Sequence, residues 1–171
     1  ALVSRVQSVS LPQIEVDDTR TAFGAMARAW RRNFDIPVVA VTGSAGKTTV
    51  KELIGSILGQ GRSICVTEGN LNNEIGVPLS LMRLTAADEA MVVELGANHA
   101  GEIAALGSLV EPTVAVITNA GAAHLERVQV PGGAALGAGL ATAWRSCGGG
   151  GGEAQRARVD EAHRRQRPAG A

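Results

Sequence analysis

The sequence predicts an α/β domain: a doubly wound, mostly parallel sheet with helices on both faces and a P-loop after its first long strand. Three observations carry this. VVAVT (38–42), AMVVEL (90–95) and TVAVIT (113–118) are continuous apolar runs rather than alternating ones, the pattern of strands covered on both faces. Segments of helical period separate them, so strand and helix alternate along the chain. The stretch VTGSAGKTTV then places a glycine turn with a lysine between a strand and a helix.

The elements follow in order. Residues 1–9 alternate weakly and read as a strand. Asp18 is a helix N-cap, and Ala22/Phe23, Met26, Ala29/Trp30 and Phe34 recur at helical spacing, giving a helix over 19–33. Pro37 opens the strand 38–42. Thr48 begins a helix to Leu58 with Val50, Leu53/Ile54 and Ile57/Leu58 on one face. Residues 63–67 form a short strand, and EGNLNNEIG (68–76) a polar loop. Pro78 suits a first helical turn, and the helix runs to Leu84. After the strand 90–95, residues 101–110 form a helix and 113–118 the last strand. In such sheets ligands sit beyond the carboxyl ends of the strands. The glycine turn, Glu94 and the segment leading to His124 all fall there.

The chain has 171 residues, enough for one domain with a sizeable core. Apolar residues are 45% and aromatics only 2%, so Ala, Val, Leu and Ile must build that core. Net charge is zero, which gives no electrostatic case for nucleic acid or an anionic membrane. No apolar run is long enough to span a bilayer, and no signal peptide is read at the N-terminus. Cys65 and Cys147 make no disulfide framework, so a cytoplasmic location is the expectation. Charge and composition change near Glu126. Residues 1–126 hold nine Lys/Arg against thirteen Asp/Glu, while 127–171 hold seven Arg against three Asp/Glu and ten of the 22 glycines. The tail needs a separate reading.

A phosphate cradle needs converging backbone N–H groups, a helix N-terminus, a lysine for the outer phosphates and a hydroxyl for Mg²⁺. Gly43, Gly46, Lys47 and Thr48 meet each need. The usual first glycine of the motif is replaced by Val41, which leaves the Gly46-Lys47-Thr48 part intact. The plain alternative is a glycine turn with a solvated lysine.

TGSAGKTT resembles the TGxxGKT/S loop of the Mur ligases and folylpolyglutamate synthetases. GNLNNEIGVPLSLMRL, VVELGANHAGEI and ITNAGAAHLE extend the resemblance within the Mur ligase family, over about residues 13–126. They are similar to the branch that joins D-Ala-D-Ala to UDP-N-acetylmuramoyl-tripeptide. The resemblance implies residues 1–34 as the remnant of a UDP-sugar domain with a connecting helix, and 35–126 as part of the central ATP-binding domain. It implies ATP and Mg²⁺, an acyl phosphate formed on the peptide carboxylate, and attack by the D-Ala-D-Ala amine, with positioning and charge neutralisation as the protein's main work. The enzyme would be a cytoplasmic monomer of cell-wall synthesis and division.

By the same resemblance, Thr42, Gly43, Ser44, Ala45, Gly46, Lys47, Thr48 and Thr49 form the nucleotide loop. Lys47 neutralises the β/γ-phosphates. Thr48 and Glu94 bind Mg²⁺, for which oxygen ligands suit, and His124 stands near a second metal. Asn70, Asn72 and Asn73 form a loop near the γ-phosphate and acceptor carboxylate, and Asn98 and His99 line the same cleft. Each residue also has a simpler reading: a capping or salt-bridged Glu94, a surface His124, asparagines that only turn the chain. Lys51 is read as solvated and Cys65 as an inert core thiol.

After Glu126 the resemblance stops. The family continues with a Gly-Phe-x-Ser-Leu-Glu-Gly-like stretch and a metal-binding lysine, whereas this chain reads RVQVPGGAALGAGLATAW and has no lysine after Lys51. Arg127-Val128-Gln129 written as CGG-GTT-CAG and read one base later gives Gly-Phe-Arg. Residues 127–171 are therefore expected to be an out-of-frame or low-complexity tail with little packing, and the nucleotide sequence decides between these. Two other functions stay open: an ATP-binding module without ligase activity, and another ligase of the superfamily, such as a folylpolyglutamate or cyanophycin synthetase.

Overall fold

The computed structural model describes residues 1–99 and 101–119. Ten elements appear in the order β1 (Leu2–Val3), β2 (Ile14–Glu15), α1 (Thr19–Arg31), β3 (Val38–Thr42), α2 (Lys47–Leu58), β4 (Ile64–Val66), α3 (Gly76–Met82), β5 (Ala90–Glu94), α4 (Glu102–Val110) and β6 (Val114–Ile117). β3 to β6 form a four-stranded sheet in the order β4-β5-β3-β6, every pair parallel. The expected α/β class and parallel sheet are present. β1 and β2 form a small parallel pair of their own, with Leu2 opposite Ile14; the sequence predicted a strand in 1–9 but none at Ile14.

β3 and β5 are buried at every position, as their unbroken apolar runs require. Their side chains part by the period of two. Val38, Ala40, Met91 and Val93 join Ala27, Val77, Leu81, Leu84, Ile103 and Leu106 on the face covered by α1, α3 and α4. Val39, Val41 and Val92 face α2 through Val50, Ile54 and Leu58. Each fully buried Val, Leu or Met contributes about 1.5–3 kcal/mol of transfer free energy. β6 departs from the expectation of two-sided burial: Val114 and Ile117 are exposed, since among the described residues β6 has a partner on one side only.

In two helices the buried stripe is offset from the predicted apolar face; in α2, Val50, Ile54 and Leu58 of that face do pack on the sheet. In α1 the buried residues are Gly24, Ala27 and Arg31, while Met26 and Trp30 are exposed. Small side chains let the helix approach its neighbours closely; Gly24 lies against Leu109. In α2 the buried residues are Lys51 and Gly55, and Leu53 and Ile57 point to solvent. Asp18 caps α1 as expected, its Oδ1 accepting from the Thr21 amide at 2.6 Å.

α1 is tied to the C-terminus of α4 by charge. Glu111 sits at φ 48°, just past α4. Its carboxylate accepts from Arg28 Nε at 2.8 Å and from Arg32 Nη2 at 2.5 Å, and the buried Arg31 donates to the Val110 carbonyl at 3.1 Å. The Arg32 hydrogen bond, then Arg28, holds the Glu111 carboxyl below the ordinary glutamate value of 4.5, against the opposing effect of burial. A depressed folded value means the clasp stabilises fully above that pH and is lost as pH falls through the folded value. Glu111→Gln is therefore expected to melt below wild type at pH 7, with the gap closing as pH drops below 4.5. Thermal melts of both proteins from pH 7 to pH 3 check this; a gap that does not change with pH refutes it.

No helix among the described residues is long and apolar enough to cross a membrane.

Candidate functional site

The strand register brings the glycine turn and Glu94 together. Val41 pairs with Glu94, so the carboxyl ends of β3 and β5 lie side by side, and the glycine turn follows directly. Thr42 is buried and its hydroxyl donates to the Leu95 carbonyl at 2.8 Å, binding the two strand ends. Gly43 takes φ 139° and Gly46 φ 76°, conformations that suit glycine. Gly46 is the residue before α2, whose N-terminus carries no side-chain cap. The first-turn amides of Lys47, Thr48 and Thr49 thus stand at the positive end of a 12-residue helix. Lys47 is half-buried and its ammonium folds onto the Gly43 carbonyl at 2.8 Å.

Glu94 faces the first turn of α2. It is 2% exposed. Its Oε2 accepts from the Thr48 hydroxyl at 2.9 Å, and its Oε1 from the Asn72 carboxamide at 2.8 Å. Its backbone N–H donates to the Thr67 hydroxyl at 3.1 Å. Both carboxylate oxygens are thus held by neutral donors, and no ion pair reaches them among the described residues. A buried carboxylate in neutral company is costly unless a cation completes it. A hydroxyl beside a carboxylate is a donor set that fits Mg²⁺, which binds through one or two carboxylates together with substrate phosphates and water. By themselves the described residues offer no group of three or more His, Cys, Asp or Glu for a metal.

The asparagines divide. Asn72 reaches Glu94, and its own carbonyl accepts from Gly96 N at 2.8 Å, which fixes the loop to the end of β5. Asn73 braces the turn that enters α3: its Oδ1 accepts from Ile75 N at 3.1 Å and Gly76 N at 2.8 Å. Asn70 is exposed, and its carbonyl accepts from Asn72 N at 2.7 Å. Asn98 and His99 engage the start of α4 rather than the glycine turn. Their amides donate to Glu102 Oε2 at 2.7 and 3.1 Å, and His99 Nδ1 lies 2.9 Å from Glu102 Oε1. These bonds, that of Asn98 first, draw the Glu102 carboxyl below its usual value. His124 and the tail 127–171 lie outside the described residues.

Four participants escaped the sequence reading. Lys51, expected in solvent, is fully buried and donates to the Thr67 carbonyl at 2.8 Å, with Glu52 Oε1 also at 2.8 Å. It sits on the α2 face toward β4, which it shares with Gly55, where a Cβ would come within 3.2 Å of Val66. Thr67 in turn holds Glu94. Thr118 and Asn119, at the carboxyl end of β6, bond to the glycine turn. Their place at a strand end was the signal that could have found them. Cys65 is a buried core thiol as expected, and burial pushes it up from its usual value.

Fold and site together define a doubly wound α/β domain in which a glycine turn, a lysine and an acidic strand end meet at the sheet's carboxyl edge. The sequence model of the Mur ligase middle domain matches residues 41–130, more than half of the chain. The chain belongs to the Mur ligase middle-domain family. Among curated relatives, the UDP-N-acetylmuramoyl-tripeptide–D-alanyl-D-alanine ligase of Escherichia coli K12 is 53% identical over 125 residues, 73% of this chain and 28% of that protein. Its Bacillus subtilis counterpart is 42% identical over 113 residues, covering 66% and 25%. Among solved structures, a MurF from Acinetobacter baumannii superposes with a TM-score of 0.75 at 41% identity, over 84% of this chain and 31% of that one. The MurF ligase of Thermotoga maritima in complex with ADP gives 0.66 at 39% identity, over 72% and 29%. The chain spans under a third of the length of the relatives it matches.

Proposed function

We propose that this chain supplies the ATP-binding portion of a ligase that joins D-Ala-D-Ala to UDP-N-acetylmuramoyl-tripeptide in peptidoglycan precursor synthesis. The observation that carries the reading is Glu94 held across from the uncapped start of α2 by Thr48, in a chain 53% identical to such a ligase. Residues 35–126 form this portion, and 1–34 belong to the preceding domain and its connecting helix.

In this reading the amides at the start of α2 hold the β- and γ-phosphates, where helix dipole and free N–H groups favour an anion. Lys47 leaves the Gly43 carbonyl and neutralises the outer phosphates. Thr48 and Glu94 would hold Mg²⁺, which would supply Lewis-acid stabilisation of the transferring phosphoryl group. Asn72 fixes the rotamer of Glu94 and so the direction of its free lone pairs. By the resemblance, the asparagine loop serves the γ-phosphate and the acceptor carboxylate, and His124 a second metal. Completing the step needs the UDP-sugar and amine sites, which the resemblance places in other parts of the longer ligases. The protein acts in the cytoplasm as a monomer.

Glu94→Gln keeps the side chain's shape and removes its charge. We expect it to abolish the Mg²⁺ dependence of ATP affinity, which falls about 10- to 100-fold to the metal-free level. Calorimetric titration with ATP, with and without Mg²⁺, checks this; a variant that keeps the wild-type Mg²⁺ response removes Glu94 from the metal site.

A second reading is a nucleotide-binding module without turnover, since the glycine turn, Lys47, Thr48 and Glu94 are all groups that meet a nucleotide and its metal. Phosphate release from ATP by the 171-residue chain, measured with UDP-tripeptide and D-Ala-D-Ala together and singly, separates the two. Release that needs both substrates marks a ligase, Mg-ATP binding without release marks the module, and absence of binding overturns both.

A further inference from the structure

The glycine turn is bonded on one side by the carboxyl end of β6. Asn119 Oδ1 accepts from Ser44 N at 3.0 Å and Ala45 N at 2.9 Å. The Asn119 carbonyl accepts from Ser44 N at 3.3 Å, and the Thr118 hydroxyl donates to the Ala45 carbonyl at 2.6 Å. Gly43 lies so close that a Cβ there would come within 2.9 Å of the Asn119 carbonyl. Without its carboxamide the Ala45 amide would lose this bond and Ser44 N would keep its longer one to the Asn119 carbonyl, and the turn could rotate about Gly43 and Gly46.

We propose that Asn119 is a positioning residue that pins this turn in its anion-receiving shape. Its carboxamide engages the Ser44 and Ala45 amides, so the amides from Gly46 to Thr49 are the ones that face the phosphates. A second strand, β6, thereby reads into the cradle made by β3 and α2. The inference rests on the nucleotide reading above. It adds a residue whose neutral side chain matters: an acidic group there keeps the same two hydrogen bonds and sets a negative charge beside the polyphosphate.

The test uses the full 171-residue chain and two variants. Amide hydrogen exchange reads the pin without nucleotide: Ala45 is slow in wild type and fast in Asn119→Ala, while the core amides of β3 and β5 stay slow in both, which shows that the variant is folded. Mg-ATP titration reads the consequence. Asn119→Ala binds about tenfold more weakly, the scale of one or two lost hydrogen bonds. Asn119→Asp accepts from the same amides and keeps their protection. Its ATP affinity is nevertheless lower than wild type, because the new charge stands beside the polyphosphate, a split between kept protection and lost affinity that a purely structural role does not produce. Unchanged exchange in Asn119→Ala, tighter ATP binding by that variant, or wild-type ATP affinity in Asn119→Asp each overturns the proposal. Wild type that fails to bind Mg-ATP while Ala45 stays protected overturns the nucleotide reading, and with it the role assigned to the pin; failure of the pin alone leaves wild-type binding and its loss on Lys47 replacement in place.

Discussion

Lys47→Ala is expected to weaken Mg-ATP binding by about 10- to 100-fold while leaving the fold intact. The magnitude follows from removing one charge-assisted partner of the outer phosphates, about 1.5–3 kcal/mol. The structure shows why stability is spared. The ammonium rests on the Gly43 carbonyl at 2.8 Å in a half-exposed turn, away from the two core clusters. Its loss should shift the melting temperature little, as for a surface substitution. Lys47→Arg is not a rescue, because the planar guanidinium cannot replace a compact ammonium in a turn this tight. Calorimetry and a thermal melt on the same samples check both halves. Wild-type affinity in the alanine variant would show that the lysine does not meet the nucleotide.

Gly43→Ala carries the largest expected effect on stability, about 3 kcal/mol or more. Two costs add. A φ of 139° is a conformation that residues with a Cβ rarely adopt. The new Cβ would also stand 2.2 Å from the Thr118 hydroxyl and 2.9 Å from the Asn119 carbonyl, so β6 must move away from the turn. Gly46→Ala is the control. Its φ of 76° carries a similar backbone restriction, but a Cβ there meets nothing within 4 Å, so about 1 kcal/mol is expected. Urea denaturation of the two variants gives the comparison directly. Equal destabilisation would mean that the contact with β6 contributes nothing. Gly43→Ala should also lose Mg-ATP binding, because displacing β6 withdraws Thr118 and Asn119 from the turn.

Much of the architecture was legible because it depends on local pattern. Unbroken runs of Val and Ala marked 38–42 and 90–94 as covered strands, and both are buried throughout, whereas the same signal in 113–118 belongs to a β6 with Val114 and Ile117 exposed. A glycine turn followed by a helical period fixes a strand–turn–helix with little help from elsewhere. Thr48 and Glu94 were paired through a resemblance, and the register of β3 on β5 brings their side chains within 2.9 Å.

What failed to be legible depends on which surface covers which. Apolar spacing put Met26, Trp30, Leu53 and Ile57 on buried faces, yet all four are exposed. A helix buries the face its neighbours can approach, and in α1 and α2 that approach runs along Gly24, Ala27 and Gly55. The same rule buries Lys51, which no charge-based reading places inside a domain. Asn73, Asn98 and His99 illustrate a further limit. Residue type suits them equally to a ligand or to a helix start, and their partners are helix starts: the α3 amides for Asn73, and Glu102 of α4 for the other two.

The sequence by itself determined the strands of the four-stranded sheet, the order of the helices, and the turn with its lysine, since those rest on hydrophobic period and on the conformational freedom of glycine. Only the tertiary structure decided that Thr67 and Asn72 hold Glu94, that Lys51 is enclosed, and that Asn119 reaches the turn from a strand 75 residues further along. Parallel pairing brings together strand ends that are distant in the chain, and hydrogen bonds a few ångströms long leave no period in the sequence from which they could be read.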